Sequence, residues 1–338
     1  MLPTLAITLG DPGGVGAEVI VKALADDRRR SRARFRVYGR PEPLALACRR
    51  AGIDEGWLAQ VEIDSRGVHS HPWVAAPTSE GGEASYRWVE AAIGDALAAK
   101  KGVAGGVAGV VTGPISKHAW MLAGHREFPG HTELFAKRCG CERFAMMFHA
   151  APGESALTTR PGMNVILTTV HVPLREVPAR VTRERVLETI VLGAAAMKEF
   201  GYDPARIAVC GLNPHAGEEG LLGDEDTRVI APAVSEARGM GLEVQGPFPA
   251  DTIFARALEY PRRRAEFDLV VAMYHDQGLI PLKTMAWDRA VNLTVGLPIV
   301  RTSPDHGTAF NIVGQNVANE GSMAAAIDAA IELAGRKS

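Results

Sequence analysis

The sequence predicts an α/β fold, a largely parallel sheet with helices on both of its faces. Three observations carry this. Short apolar runs recur along the chain, and several are nearly continuous in Val, Ile, Leu and Ala. Unbroken runs of that kind mark strands buried on both faces, whereas a half-exposed strand alternates. Gly-, Pro- and Asn-rich turns follow them, and longer segments with apolar residues at three- and four-residue steps lie between. In chain order the candidate strands are 5–9, 35–38, 107–111, 144–148, 164–169, 207–210, 269–273 and 299–301. The clearest helical periods are 84–99, 186–200 and 323–333. No Pro/Ser-rich linker marks a domain boundary, so two domains would require the chain to cross between them more than once.

Composition narrows the class. The 338 residues carry 37 Lys and Arg against 39 Asp and Glu, with 46% hydrophobic and 22% charged residues, as in ordinary soluble proteins. A formal net charge of -2 offers no basic excess for phosphate contacts along a nucleic acid. The longest apolar stretches, such as 103–112, reach only half of the roughly 20 residues needed to span a bilayer. The N-terminus MLPTLAITLGDPGG has neither a basic region nor a small-residue cleavage site, so a cytoplasmic protein is expected. Cys48, Cys139, Cys141 and Cys210 do not make a disulfide framework in a chain this long.

Two glycine-containing loops bear on the cofactor question. The run GDPGGVG, residues 10–16, joins the first strand to a helical period and invites a phosphate-binding reading. Its spacing is not G-x-G-x-x-G, and no acidic residue ends the next strand to hold a ribose. A tight packing turn fits equally well. No P-loop and no G-x-S-x-G occurs, which argues against P-loop kinases and serine hydrolases. The second loop, TSPDHGTAFNIVG from residue 302, follows the strand ending at Arg301, and its 308–314 portion reads as a short helix. Taken alone, its residues suggest a capped turn.

His171, His215 and His275 share a context, each at or just beyond the end of an apolar strand. The carboxyl ends of parallel strands lie on one edge of a sheet, where ligands bind, so three imidazoles can be delivered there together. Neutral imidazoles suit Zn²⁺, Co²⁺, Ni²⁺ or Mn²⁺, and three protein ligands leave positions open for substrate oxygens. Such an ion acts as a Lewis acid on an alcohol or carbonyl. Asp276 is either an outer partner of this site or a solvated turn residue. Lys283, Asn292 and Arg301 follow, and Arg301 ends an apolar strand. Guanidinium and ammonium groups near that edge suggest an anionic substrate. The turn FPGHTEL adds His131 and Thr132 at a helix start, where Thr132 could bind the same anion or merely cap the helix.

The segments ITLGDPGGVGAEVI, VVTGPISKHAW, FPGHTELFA, GLNPHAGEEGLLGDED, GPFPADTIFA, MYHDQGLIPLKT and NLTVGLPIVRTSPDHGTAFNIVG resemble the 4-hydroxythreonine-4-phosphate dehydrogenases of pyridoxal phosphate biosynthesis. The likeness runs from residue 6 to residue 314. It implies NAD-dependent oxidation of 4-phosphooxy-L-threonine to 2-amino-3-oxo-4-phosphooxybutanoate, which loses CO₂ to give 3-amino-2-oxopropyl phosphate. It implies one divalent metal ion per site (Zn, Co or Mg) on His171, His215 and His275. Substrate contacts fall on His131, Thr132, Lys283, Asn292 and Arg301, with Lys283 or a metal-bound hydroxide removing the proton. The implied fold is that of the isocitrate and isopropylmalate dehydrogenases, two α/β domains with the active-site cleft between them. The expected domains are 1–125 plus 290–338, carrying the NAD adenosine loop, and 126–289, carrying the metal ligands and dimer interface. NAD, with NADP as the alternative, would lie on the loop 306–319 through His306, Gly307, Thr308, Ala309, Asn311 and Asn319. A homodimer with shared active sites is implied, so the three histidines need not meet within one chain. Gly13 and Val15 depart from the Ala and Ile expected in the first loop, and the stretch 149–160 matches no motif of the family. Relatives act on sugar-acid 4-phosphates such as threonate or erythronate, or on a cis-dihydrodiol carboxylate. In a different class, a metal-dependent aldolase or hydrolase could use a similar site, but the dinucleotide loop speaks against it.

Overall fold

A computed structural model describes residues 2–154 and 159–336. The chain divides into two compact units, Met1–Glu142 with Leu297–Ser338, and Arg143–Gly296. The segment 126–142, expected with the second domain, therefore packs in the first unit, as does 297–338 without 290–296.

In the first unit the strands run in the order Val300–Pro304, Gly109–Thr112, Thr4–Thr8, Arg34–Tyr38 and Glu62–Asp64, all parallel. Leu5, Ile7, Val110 and Val111 are wholly buried, which is why their runs do not alternate. The helix Gly321–Arg336 buries Met323, Ile327 and Ile331. The helix Ser79–Lys100 starts where Thr78 Oγ1 accepts from the Gly81 amide at 3.0 Å.

The first glycine turn proves to be a packing device. Gly10 has a φ of +79°, and a Cβ there would stand 2.3 Å from the Pro114 carbonyl oxygen. At Gly16, the first residue of the helix Gly16–Ala25, a Cβ would stand 2.0 Å from the Leu9 oxygen. No side chain fits either place. We expect Gly16→Ala to lose on the order of 3 kcal/mol of stability through this backbone collision. Chemical denaturation would check it, and an unchanged midpoint would refute the packing account.

The second unit orders its strands Val244–Phe248, Ile207–Cys210, Leu269–Ala272 and Met163–Leu167 in parallel. Ala145–Ala150 then runs antiparallel both to Met163–Leu167 and to Val291–Val295. Val165, Leu167, Val270, Ala272 and Phe267 belong to its core, against which Leu279 and Leu282 of the helix His275–Ala286 pack. Among the described residues, three strands of the two units escape the sequence pattern, besides the short pair in 149–160. Glu62–Asp64 is short and polar, VQGPF is interrupted by Gly-Pro, and VNLTV carries the Asn that reads as a polar rim. Within the unmatched stretch 149–160, Gly153–Glu154 pairs with Thr159–Arg160, and 155–158 lie outside the described residues. No helix among the described residues is long and apolar enough to cross a membrane.

Candidate active site

The three histidines follow three neighbouring parallel strands. His215 comes after Ile207–Cys210, His275 after Leu269–Ala272 and His171 after Met163–Leu167, so one sheet edge serves all three. Gln277 ties two of these strand ends together. Its Oε1 accepts from the Met273 amide at 2.7 Å, and its Nε2 donates to the Gly211 carbonyl at 2.7 Å. Buried Asp226 holds the next loop, accepting from the amides of Leu212 at 2.8 Å and Asn213 at 3.1 Å.

The rings of His171 and His275 lie 5.5 Å apart, centroid to centroid. His275 Nδ1 is 2.7 Å from Asp276 Oδ1, a carboxylate whose side chain is 71% exposed. With Nδ1 engaged by a carboxylate, Nε2 is the nitrogen left to accept a metal, as is usual around metal-bound imidazoles. His215 shows the same pairing, Nδ1 lying 2.6 Å from Glu218 Oε2, and that hydrogen bond pushes its pKa upward. His215 does not join the other two. It heads a left-handed run in which His215, Ala216, Glu218 and Glu219 have φ between 44° and 57°, and its side chain is 64% exposed. Among the described residues no group of three or more His, Cys, Asp and Glu stands ready to hold a metal. The expected convergence of three ligands therefore reduces, within one chain, to a pair plus a solvent-facing third. Imidazole donors backed by carboxylates fit a zinc- or cobalt-like ion better than Mg²⁺, which prefers oxygen.

A second cluster lies in the first unit. Arg301, 4% exposed on the strand Val300–Pro304, donates from Nη2 to Thr112 Oγ1 at 2.9 Å and lies 5.8 Å from the Phe135 ring centroid. Burial pushes its pKa down to about 10. His131 starts the helix His131–Cys139, and its Nε2 is buried with no hydrogen-bond partner. Burial first, then the charges of Arg301 and Lys117, hold its pKa well below the usual imidazole range. His131 is thus a neutral imidazole at physiological pH, able to donate or accept a hydrogen bond from a ligand. Thr132 is 9% exposed beside it, and Gly130 supplies no side-chain cap to this helix. Trp120 meets the His131 ring edge-on at 5.6 Å and is itself fixed by Nε1 donating to Ser85 Oγ at 2.9 Å. Lys117 and Trp120 lie in VVTGPISKHAW, one of the segments that carry the family resemblance, but neither receives a role from the sequence.

Lys283 and Asn292 belong to the second unit. Lys283 Nζ lies 5.5 Å from the Trp287 ring centroid, and Asn292 Oδ1 is buried without a partner. Two ligand-ready atoms, His131 Nε2 and Asn292 Oδ1, thus fall on residues assigned to substrate.

The loop 306–319 is held by its own chain. Thr308 accepts from the Val15 amide at 2.9 Å through its carbonyl, and Asn311 accepts from Gln315 Nε2 at 2.9 Å. Asn319 Oδ1 accepts from the Gly321 amide at 2.7 Å, a fold-building contact at the start of the last helix. Ala309 adopts φ +45°, and the 308–314 portion contracts to a single turn, Phe310–Ile312. His306 keeps a buried Nε2 with no partner while Nδ1 faces the Gly307 carbonyl at 3.0 Å. Beside this loop opens a cavity of about 470 Å³, lined by Gly13, Gly14, Arg50, Trp73, Val313 and Gly314 among others. Arg50 and Trp73 lie far from both loops in sequence, and only the fold reveals them as its walls.

The family described as "Pyridoxal phosphate biosynthetic protein PdxA" matches residues 40–330. The chain is 41% identical over 349 residues to a 4-hydroxythreonine-4-phosphate dehydrogenase of Trichlorobacter lovleyi, with 98% of both chains covered. Its fold is similar to the crystal structure of a 4-hydroxythreonine-4-phosphate dehydrogenase from Burkholderia phymatum, with TM-score 0.77, 36% identity and 98% of each chain covered. A terephthalate 1,2-cis-dihydrodiol dehydrogenase from Burkholderia xenovorans is more distant, with TM-score 0.63 and 26% identity over 98% of each chain.

Proposed function

The chain belongs to the family of pyridoxal phosphate biosynthetic protein PdxA, and from that premise we infer that it is a 4-hydroxythreonine-4-phosphate dehydrogenase. It is an NAD-dependent dehydrogenase that oxidises 4-phosphooxy-L-threonine to 2-amino-3-oxo-4-phosphooxybutanoate, which decarboxylates to 3-amino-2-oxopropyl phosphate. The observation that carries the anionic substrate is the buried cluster of Arg301, Thr132 and neutral His131. A buried guanidinium with a depressed pKa is costly in the free enzyme, and an anionic ligand repays that cost.

His171, His215 and His275 are the residues we assign to one divalent ion, zinc or cobalt in preference to magnesium. When bound, that ion lowers the pKa of the substrate's 3-hydroxyl. The loop 306–319 would hold NAD, which would supply the hydride acceptor. Arg301 offers the anionic end two parallel N–H donors, and His131 offers it a hydrogen bond through its unpaired Nε2, while the unpaired Asn292 Oδ1 is an acceptor suited to an N–H or O–H of the substrate. Lys283 Nζ is assigned the hydroxyl proton. Asp276 and Glu218 hold the imidazole tautomers through Nδ1. A cytoplasmic homodimer with shared sites completes this reading. Exposed Leu221, Ile280 and Trp287 in the second unit support the dimer, as does the outward His215, free to serve a site built from two chains.

The test is NADH formation from 4-phosphooxy-threonine, erythronate 4-phosphate and a dihydrodiol carboxylate, with NADP run in parallel and a chelator in matched samples. Phosphooxy-threonine should give the highest kcat/KM, and chelator should abolish it. Preference for the dihydrodiol would overturn the substrate, and chelator-insensitive turnover would remove the metal.

A further inference from the structure

Lys117 opens the helix Lys117–Leu122, whose start is fixed by Ser116 Oγ accepting from the Ala119 amide at 3.1 Å. Ala119 and Trp120 are wholly buried in the same helix, so the backbone carrying Lys117 is anchored while its own side chain reaches outward. That side chain crosses Gly130, its Cε 3.4 Å from where a Cβ would stand, and so arrives at the start of the helix His131–Cys139. The location is a poor one for a cation in the free protein. The helix start is already electropositive, with backbone N–H groups lacking intrahelical partners. Arg301 is charged and buried close by, near enough with Lys117 to disfavour protonation of His131. Glu133 is the carboxylate at hand, with Oε2 3.6 Å from the same Gly130 position, and its charge acts on Arg301. Lys117 itself pairs with no carboxylate among the described residues. Two cations and a helix start thus bear on the buried, unpartnered His131 Nε2, with Glu133 a neighbouring carboxylate.

We propose that Lys117 is a further substrate-binding residue, its ammonium pairing with the phosphate group beside Arg301, His131 and Thr132. A phosphate dianion matches two neighbouring cations better than a singly charged carboxylate does. The two cations divide the work, Arg301 fixing direction with its planar fork and Lys117 adding a mobile point charge. The proposal rests on the phosphorylated substrate inferred above.

The variants are Lys117→Met and Lys117→Arg, with Lys117 exposed enough for both to fold. A hydrogen bond to a charged group contributes about 1.5–3 kcal/mol, or roughly ten- to hundred-fold in binding. Lys117→Met should therefore raise KM for 4-phosphooxy-threonine and the competitive Ki of inorganic phosphate by about ten-fold or more. Its kcat should stay within about three-fold of wild type, because the lost contact serves ground state and transition state alike. Lys117→Arg should recover most of both constants. Wild-type KM and phosphate Ki in Lys117→Met would overturn the proposal, as would a loss confined to kcat. Thermal stabilisation by inorganic phosphate tests Lys117 separately from catalysis, being expected in wild type and lost in Lys117→Met. If wild type fails to oxidise phosphooxy-threonine, the substrate assignment falls, while equal phosphate stabilisation of both proteins still refutes Lys117.

Discussion

Replacing His275 with alanine is expected to remove the divalent ion and turnover together, lowering kcat by about a thousand-fold or more. The magnitude follows from losing a Lewis acid that contributes several kcal/mol to alkoxide formation. His275 stands at the start of a helix whose Leu279 and Leu282 are packed in the core, so its ring can be trimmed without unfolding the unit. Asp276→Asn should act more mildly, weakening metal affinity about 10- to 100-fold by loosening the hold on Nδ1. Metal content of the purified, folded variants, measured beside kcat, checks both. Stoichiometric metal in folded His275→Ala would falsify the ligand assignment.

Arg301→Met should give a free enzyme as stable as wild type or more so, and a kcat/KM lower by about a hundred-fold or more. The sign follows from the pKa. Burial lowers the guanidinium from its ordinary 12.5 to about 10, so the folded state disfavours the charged form. The group is nonetheless charged at every pH well below 10, and the penalty is fully present at pH 7. It is relieved only as pH rises through about 10 toward the unfolded value. A tenfold change in a protonation equilibrium corresponds to about 1.4 kcal/mol, so the penalty is on the order of 3 kcal/mol. Methionine fills similar space without charge, and the Thr112 hydroxyl loses a donor. Thermal unfolding without substrate should move upward by a few degrees or stay level. A variant that melts well below wild type yet keeps its kcat/KM would make Arg301 structural instead of substrate-binding.

The sheet edge was legible because it follows from strand pattern alone. Apolar runs ending in His171 and His275 place both imidazoles at carboxyl ends of neighbouring parallel strands, and the structure puts their rings in contact. His215 follows the same rule but stands in a run of left-handed residues, of which Ala216, Glu218 and Glu219 are of types that do not announce such a turn. The antiparallel Ala145–Ala150 could not be told from a parallel strand, since both are buried on two faces here and direction leaves no trace in composition. Lys117 and Arg50 escaped for another reason. Each acquires its setting from a residue distant in sequence, Gly130 and Gly314 respectively, and a surface cation carries no mark of what the fold brings beside it. At Gly10 and Gly16 the residue pattern left phosphate binding and packing open, and the carbonyl oxygens standing where side chains would go account for both glycines by packing.

The contact between the two glycine loops has a consequence for protein engineering. Val15 donates its amide to the Thr308 carbonyl at 2.9 Å, and a Cβ at Gly14 would lie 3.0 Å from that same oxygen. The loops are separated by most of the chain yet form one joint, like tenon and mortise. A graft that exchanges 306–319 for the loop of a relative, in order to alter dinucleotide preference, would insert half of that joint. Residues 10–16 should travel with it, and chimeras should tolerate the paired exchange far better than either loop alone.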